Sequence, residues 1–437
     1  MNRTLIAATL VVAGAWARVT AAQDGPRSAT KDAGPLNADA VVRRALAASP
    51  EVREARDRLA ALAGRRATAG VWLPSNPTVS ATLATRRRQA PDPASALNWN
   101  VMLSQELELA GQRGARVATV DAEAAAQARR VGVAEQEIAA GALTAYYEAI
   151  AAREGLLIAA DLAQTAQALA AFAEGRAKEA LVAGIEADVA RAEATRIGLA
   201  RFEAERRLTD SRSALAILLD VDVDADPLTL PDVLPTGTPA PLDSGSLEDQ
   251  ALRLRGELAA AQMESKVLEG RLALVRRERI PNLTVSAFAE RGEIDDRILG
   301  IGLSVPLPLP APVGRTRAGE IAETLAQLRA AQSSTELVRR RVRLEVARAR
   351  AALRARQGAA GLFDGTLLAR ARADLASLRE AISARQLPLR EGLQWQRSLI
   401  ELLQADIGAR LGRTLAWVDL RRVVGLPLVA AAQGDGR

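Results

Sequence analysis

Cysteine and histidine are both missing from the 437 residues of this chain. Their absence removes disulfides, thiol nucleophiles, imidazole bases and the usual soft metal ligands together. Lysine is almost missing too: only Lys31, Lys178 and Lys266 occur among 58 basic residues. Aromatic residues make up 3% of the chain, the net charge is a mild +6, and no basic stripe is interleaved with aromatics, so no nucleic-acid partner is expected. The acids form no catalytic constellation. Asp295-Asp296 reads as the cap of a surface loop, and Asp222 with Asp224 falls in a proline-rich segment. Gly300-Ile-Gly302 lies within an alternating strand pattern with no helix opening behind it, which excludes a phosphate loop. No enzyme activity, cofactor or metal site is expected.

Long hydrophobic runs are also scarce. Arg3 precedes an apolar stretch from Leu5 to Ala17, followed by small residues at Ala15-Trp-Ala17 and Thr20-Ala-Ala22, the pattern of a secretory signal peptide over residues 1–22. Its apolar part falls short of the ~20 residues a spanning helix needs. No other segment reads as long enough without charges, so passage through a membrane is expected by strands.

What the chain does have is a repeat. Asn76-Pro-Thr-Val-Ser-Ala81 recurs as Asn282-Leu-Thr-Val-Ser-Ala287, and at the same 206-residue offset Glu51 meets Glu257, Gly64 meets Gly270 and Arg65 meets Arg271. Leu103-Ser104, Leu107 and Leu109 then match Leu303-Ser304, Leu307 and Leu309 at an offset of 200. Only the piece between the two matches has changed length, as in a duplicated unit with a tolerant loop. The implied layout is a polar segment 23–35, a first repeat 36–219, a proline-rich linker 220–245, a second repeat 246–428 and a tail 429–437.

Each repeat reads helix, hairpin, long helix pair. A helical pattern runs from Leu36 to about Leu73, and no proline occurs between Ala94 and Asp226 or between Val313 and Leu387, which permits long helices. Val117, Val120, Ala124, Val131, Ala134, Ile138, Ala142, Ala145 and Ala149 step by three and four, as do Val338, Val342, Val346, Ala349 and Leu353. These are narrow apolar seams of the coiled-coil type, expected on helix pairs 114–219 and 314–425.

Between the helices the period changes to two. Val79, Ala81 and Leu83, then Leu97, Trp99, Val101 and Leu103, alternate with polar residues over the first hairpin, 76–109. Leu283, Val285 and Ala287, then Ile301, Leu303 and Val305, repeat this over 282–309. Each hairpin has one apolar and one polar face. Either the apolar face lies on the helices, or it faces lipid, since strands of this length can cross a bilayer. Four strands cannot close a membrane barrel, so the second reading demands several copies, with a dimer, a trimer or more all open.

The order of these parts resembles the TolC-type outer-membrane efflux family, and within it the channels of cobalt-zinc-cadmium-type resistance systems. Leu73-Pro-Ser-Asn-Pro77 and Ile280-Pro-Asn-Leu283 resemble the family's entry into each hairpin. Leu107-Glu-Leu-Ala-Gly-Gln-Arg113, and Val305-Pro-Leu-Pro-Leu-Pro310 with Gly314-Arg-Thr-Arg317, resemble its strand-to-helix exit. Val182-Ala-Gly-Ile-Glu-Ala-Asp-Val-Ala-Arg-Ala192 resembles the turn at the periplasmic tip. The resemblance implies a mainly α chain with a small β part: an internally duplicated, long α-helical coiled-coil barrel plus four strands, joining two further copies in a 12-stranded transmembrane β-barrel. It also implies a homotrimer in the outer membrane, a helical tunnel in the periplasm, a periplasmic adaptor and an inner-membrane pump, commonly of the RND type.

The resemblance places a gate at the tip. Val182, Gly184, Glu186 and Asp188 fall there in the first repeat, and Arg385, Arg390, Glu391 and Arg397 in the second, where the family's usual glycine is missing. It implies charge pairs that hold the tip, with Glu186, Asp188 and Glu391 as acids and Arg385, Arg390 and Arg397 as bases; solvated helix-end charges are the alternative. The N-terminal lipidated cysteine of several relatives has no counterpart here. Two readings remain open on these grounds, an exit duct and a soluble periplasmic coiled-coil scaffold.

Overall fold

Ser49 and Arg255 stand 206 positions apart, and each ends one helix and begins the next. Ser49 separates α1 (Ala38–Ala48) from α2 (Pro50–Ala69), and Arg255 separates α5 (Leu247–Leu254) from α6 (Gly256–Arg277). Both are extended, with φ/ψ of −60/121 and −62/118. The Ser49 hydroxyl accepts from Val52 N at 3.2 Å, and Pro50 occupies the first turn, where a missing N–H costs nothing. Arg255 instead donates twice to Glu257, at 2.9 Å each. The single helical run expected from Leu36 to Leu73 is therefore corrected to two helices, broken by a cap that its pattern hides.

The computed structural model describes residues 36–87, 95–222, 228–235, 247–291, 296–309, 313, 316–363, 370, 373, 377 and 389–428. The expected signal peptide, polar segment and tail, the linker from 223 to 227 and from 236 to 245, and the first residue of the second repeat, 246, lie outside them. The remaining elements are β1 (Thr78–Arg87), β2 (Ser95–Leu107), α3 (Gln112–Lys178), α4 (Gly184–Leu219), β3 (Leu283–Arg291), β4 (Arg297–Ser304), α7 (Ala318–Gly361) and α8 (Leu389–Val424). With 67 residues, α3 extends on the order of 100 Å at ~1.5 Å per residue.

The duplication governs the core as well as the surface. Val41 and Ala45 pack with Ala142, Tyr146 and Ala149 in one cluster. Leu247 and Ala251 pack with Val342, Val346 and Ala349 in another, at the same offsets of 206 (41 to 247) and 200 (142 to 342). On α3 the expected seam is buried at Val120, Val131, Ala142, Ala145 and Ala149, and half-buried at Val117, Ala124, Ala134 and Ile138. Burial also takes in Leu143, Tyr146 and Ile150. The helix is wider than a narrow seam because it is covered on two flanks, by α2 and α4 on one side and by α6 and α8 on the other. Tyr146 anchors the start of α1, its hydroxyl donating to the Leu36 carbonyl at 2.6 Å, and its burial pushes its pKa up to about 12.

α3 contains an 18-residue window of mean hydropathy 1.4, long and apolar enough to cross a membrane by length and composition. The alanines and leucines that let neighbouring helices pack closely also raise its hydropathy.

The strands form one antiparallel sheet in the order β1-β2-β3-β4, so β2 and β3 join the two repeats. The helices follow the same order. β1 follows α2, β2 leads to α3, β3 follows α6 and β4 leads to α7, while α3 packs between α2/α4 and α6/α8, and α7 packs on the far side of α6 and α8. Columns α2/α4 and α7 are thus the two edges of the helical layer, as β1 and β4 are of the sheet.

Candidate functional site

The register of the sheet separates its faces. Val79, Leu103, Ala287 and Ile301 stand opposite one another across all four strands, and Ala81, Val101, Ala289 and Leu299 form the next row on that face. Thr78, Ser104, Ser286 and Gly302, and then Ser80, Met102, Phe288 and Gly300, form the other. The apolar face does not lie on the helices: Val79 is 68% exposed, Leu83 74%, Ile301 85% and Leu303 72%. Leu97, Val101, Leu103 and Val305 are also exposed, as is Ala81 with Ala287, while Leu283, Val285 and Trp99 are half-buried. An exposed apolar patch of this extent marks a membrane or protein interaction surface. β1 and β4 each carry a row of backbone groups with no neighbouring strand among the described residues.

Phe288 is the one large aromatic on the polar face, and Gly300 makes room for it. A Cβ at Gly300 would come within 2.4 Å of the Phe288 ring, so the glycine lets the ring lie across the adjacent strand.

At the opposite end, α3 and α4 are joined by Glu179–Ala183. Leu181 N donates to Arg176 O at 2.9 Å and Ala180 N to Ala177 O at 3.0 Å, with Ala180 left-handed at φ 56. This is a left-handed helix cap closed without glycine. Val182 is half-buried, Gly184 opens α4 in open space, and Glu186 and Asp188 are exposed beside exposed Leu181, Ile185 and Val189.

Similarity searches with the sequence bring nothing: no family model and no curated protein matches it. Solved structures do match. The outer-membrane channel OprN has a TM-score of 0.71 at 19% identity, covering 90% of each chain. CusC has 0.71 at 14% identity, covering 89% of this chain and 92% of its own. The outer-membrane protein VceC from Vibrio cholerae has 0.71 at 17% identity, covering 90% of this chain and 97% of its own.

This is the TolC-type fold. The likeness spans both repeats, and it agrees with the resemblance carried by the proline-marked hairpin entries and the tip turn.

Within the TolC-type fold only some of the expected gate residues fall among the described ones. Arg385 lies outside the described residues, and Arg390 lies in the first turn of α8, its side chain likewise outside. Glu391 is exposed in that turn. Arg397 does form an ion pair, but with Glu193 of α4 at 3.0 Å, not with Glu186, Asp188 or Glu391. Glu193 also holds Arg196, and the Arg196 hydrogen bond, followed by that of Arg397, keeps its carboxyl below the usual range against the opposing effect of burial. Nearby, Arg191 of α4 pairs with Glu174 of α3 at 2.6 Å.

A second charged group is fully enclosed. Arg410 of α8 donates to Glu154 of α3 at 2.6 and 3.1 Å and to Asp406 at 2.8 Å, all three buried, and Glu154 also accepts from Leu234 N at 3.1 Å. Adjacent Arg153 pairs with Asp232 at 2.6 Å, so two consecutive residues of α3 hold the linker. Sequence reasoning missed Glu193, Glu154, Asp406 and Arg410. The available signal was an acid at a seam position: Ala187, Ala190, Glu193 and Ile197 step by three and four, so Glu193 had to face another helix. Among the described residues no group of acids could hold a metal ion.

Proposed function

We propose that this protein is the outer-membrane exit duct of a tripartite efflux system: a homotrimer whose twelve strands form the barrel and whose helices form the periplasmic tunnel. The observation that carries this reading is the sheet, with its apolar face exposed and its two edge strands unpaired among the described residues. Neither feature is stable alone in water or lipid, and closing three copies into one barrel removes the edges while giving the apolar face to lipid. The OprN, CmeC and MtrE structures are described as outer-membrane channels. The duct conducts passively, so it needs no catalytic group. A periplasmic adaptor engages the tip, and an inner-membrane pump, of the RND type, supplies the energy. Metal ions or drugs are the cargo, and with no histidine or cysteine in the chain, metal selection would rest with the pump.

The soluble-scaffold alternative would bury the apolar face of the sheet on the helices, and the exposure of Leu83 and Ile301 speaks against it. The test is fractionation followed by native mass measurement and planar-bilayer recording. A heat-modifiable trimer from the outer membrane that conducts is expected; a non-conducting monomer in periplasmic fluid would overturn the proposal. Metal and drug sensitivity of a deletion strain then separates the two cargo classes.

A further inference from the structure

Charge is sorted along this chain in a way that conduction does not require. Between residues 213 and 252 there are eight acids and no base, and between Arg339 and Arg356 there are eight arginines and a single acid, Glu345. The counterpart of that arginine stretch one repeat earlier, 139–156, holds only Glu148, Arg153 and Glu154. The concentration of arginine therefore belongs to α7 and is not inherited from the repeat.

Glu345 does not neutralise its own helix, because buried Arg255 pairs with it at 2.9 Å. Arg339 pairs with Glu336, and Arg350 and Arg354 share a groove with Glu248 and Asp249 of α5. Arg340, Arg341, Arg343 and Arg348 are exposed and have no ion-pair partner among the described residues. Leu337 and Leu344 are exposed beside them, at 65% and 49%. An unpaired apolar and cationic stripe on a packed helix calls for an anionic, partly apolar neighbour.

The other edge column supplies one. The last turn of α4 carries Ile217, 79% exposed, and the helix is followed by exposed Asp220, which caps it in the left-handed conformation and has no ion pair among the described residues. The core clusters fix the relative heights. Leu215, Ala216 and Leu219 pack with Ala142–Ala149 of α3, and Val342–Ala349 of α7 occupy those same positions one repeat on. Ile217 and Asp220 at one edge are thus level with Arg340–Arg348 at the other.

We propose that the arginine face of α7 is covered by the C-terminal end of α4 from a second copy of this chain, with Asp220 meeting Arg340 and Arg343 and with Ile217 against Leu344. This rests on the duct reading and adds to it a charge-complementary seam, placed at the level of the linker, that sets the register between copies. Because the seam is polar and near solvent, it weakens with salt.

The cysteine-free chain makes the test direct. I217C and L344C, combined in one chain and treated in native membranes with a short bis-maleimide, are expected to give covalent oligomers, while either single variant gives none. No intermolecular product from the double variant, or a product from I217C alone, overturns the seam. R340E with R343E, a pair that reverses the facing charge, is expected to raise the ratio of monomer to oligomer by about tenfold at low salt; an unchanged ratio also overturns it. Conductance is read separately on the unmodified protein, so a conducting oligomer without the cross-link sinks the seam and leaves the duct standing.

Discussion

Arg397 of the second repeat donates to Glu193 of the first, Nη2 to Oε2 at 3.0 Å, across 204 residues of sequence. The bond ties α8 to α4 near the tip, on a carboxylate whose side chain is only 10% exposed. It is placed to resist separation of the two helices.

R397A and E193Q are therefore expected to loosen the tip, seen as higher single-channel conductance and greater sensitivity of cells to large antibiotics. D188A and E391A, at exposed positions, are expected to add less. The carboxyl of Glu193 is held below its ordinary value in the folded chain. Its stabilisation is thus present above the unfolded value, ~4.3, and is lost as pH falls through the folded one. Conductance of the wild type should rise toward that of E193Q only below about pH 4.3, and E193Q should stay flat there. A wild-type response at pH 6 would rule Glu193 out as its source.

The triad of Glu154, Asp406 and Arg410 makes a stability prediction. R410A leaves two buried carboxylates without their cation, and a broken buried pair costs about 3–5 kcal/mol. Replacing the whole group, as E154L with D406L and R410M, should recover part of the loss. Recovery stays incomplete because Leu234 N loses the acceptor it has at 3.1 Å. Urea midpoints of the full chain rank the variants, and an R410A midpoint equal to wild type would contradict the reading.

Much of this architecture was legible in the sequence because duplication is a property of spacing. The matches around Asn76 and Asn282 located both hairpins, and alternation from Val79 to Leu103 gave the faces that the register bears out. Pairing of β2 with β3 was not legible, since nothing local encodes which strands of different repeats meet. The helix break at Ser49 escaped for another reason: a serine followed by proline in an alanine-rich pattern keeps the apolar period on both sides. The tip was the least legible part. Exposed Glu186 and Asp188 stood out as charges, whereas Glu193, the acid that bonds across helices, was hidden among seam residues.

Gly300 and Phe288 form a pair that one substitution should break and a second restore. G300V drives a branched side chain into a ring that already lies within 2.4 Å of the Cβ position. Overpacking of this kind costs about 1–3 kcal/mol, so the yield of heat-resistant oligomer should fall. F288A alone opens space and should be tolerated, and F288A with G300V should recover the yield. If the double variant is as poor as G300V, the defect lies in the strand itself and not in the contact.

The two faces of the sheet give the last prediction, because they differ in what they tolerate. Ile301 is 85% exposed in the row with Val79, Leu103 and Ala287. An arginine placed on a lipid-facing strand costs about 2–4 kcal/mol near the bilayer midplane. I301R should therefore deplete the oligomer from the outer-membrane fraction. Thr82 belongs to the opposite face, in the row with Asn100 and Glu290, so T82R enters polar surroundings with an acid two strands away. It should assemble at wild-type yield and change only ion selectivity, read as a shift in reversal potential under a salt gradient. Were both variants assembled equally well, the apolar face would not contact lipid; were T82R alone lost, the faces would be reversed.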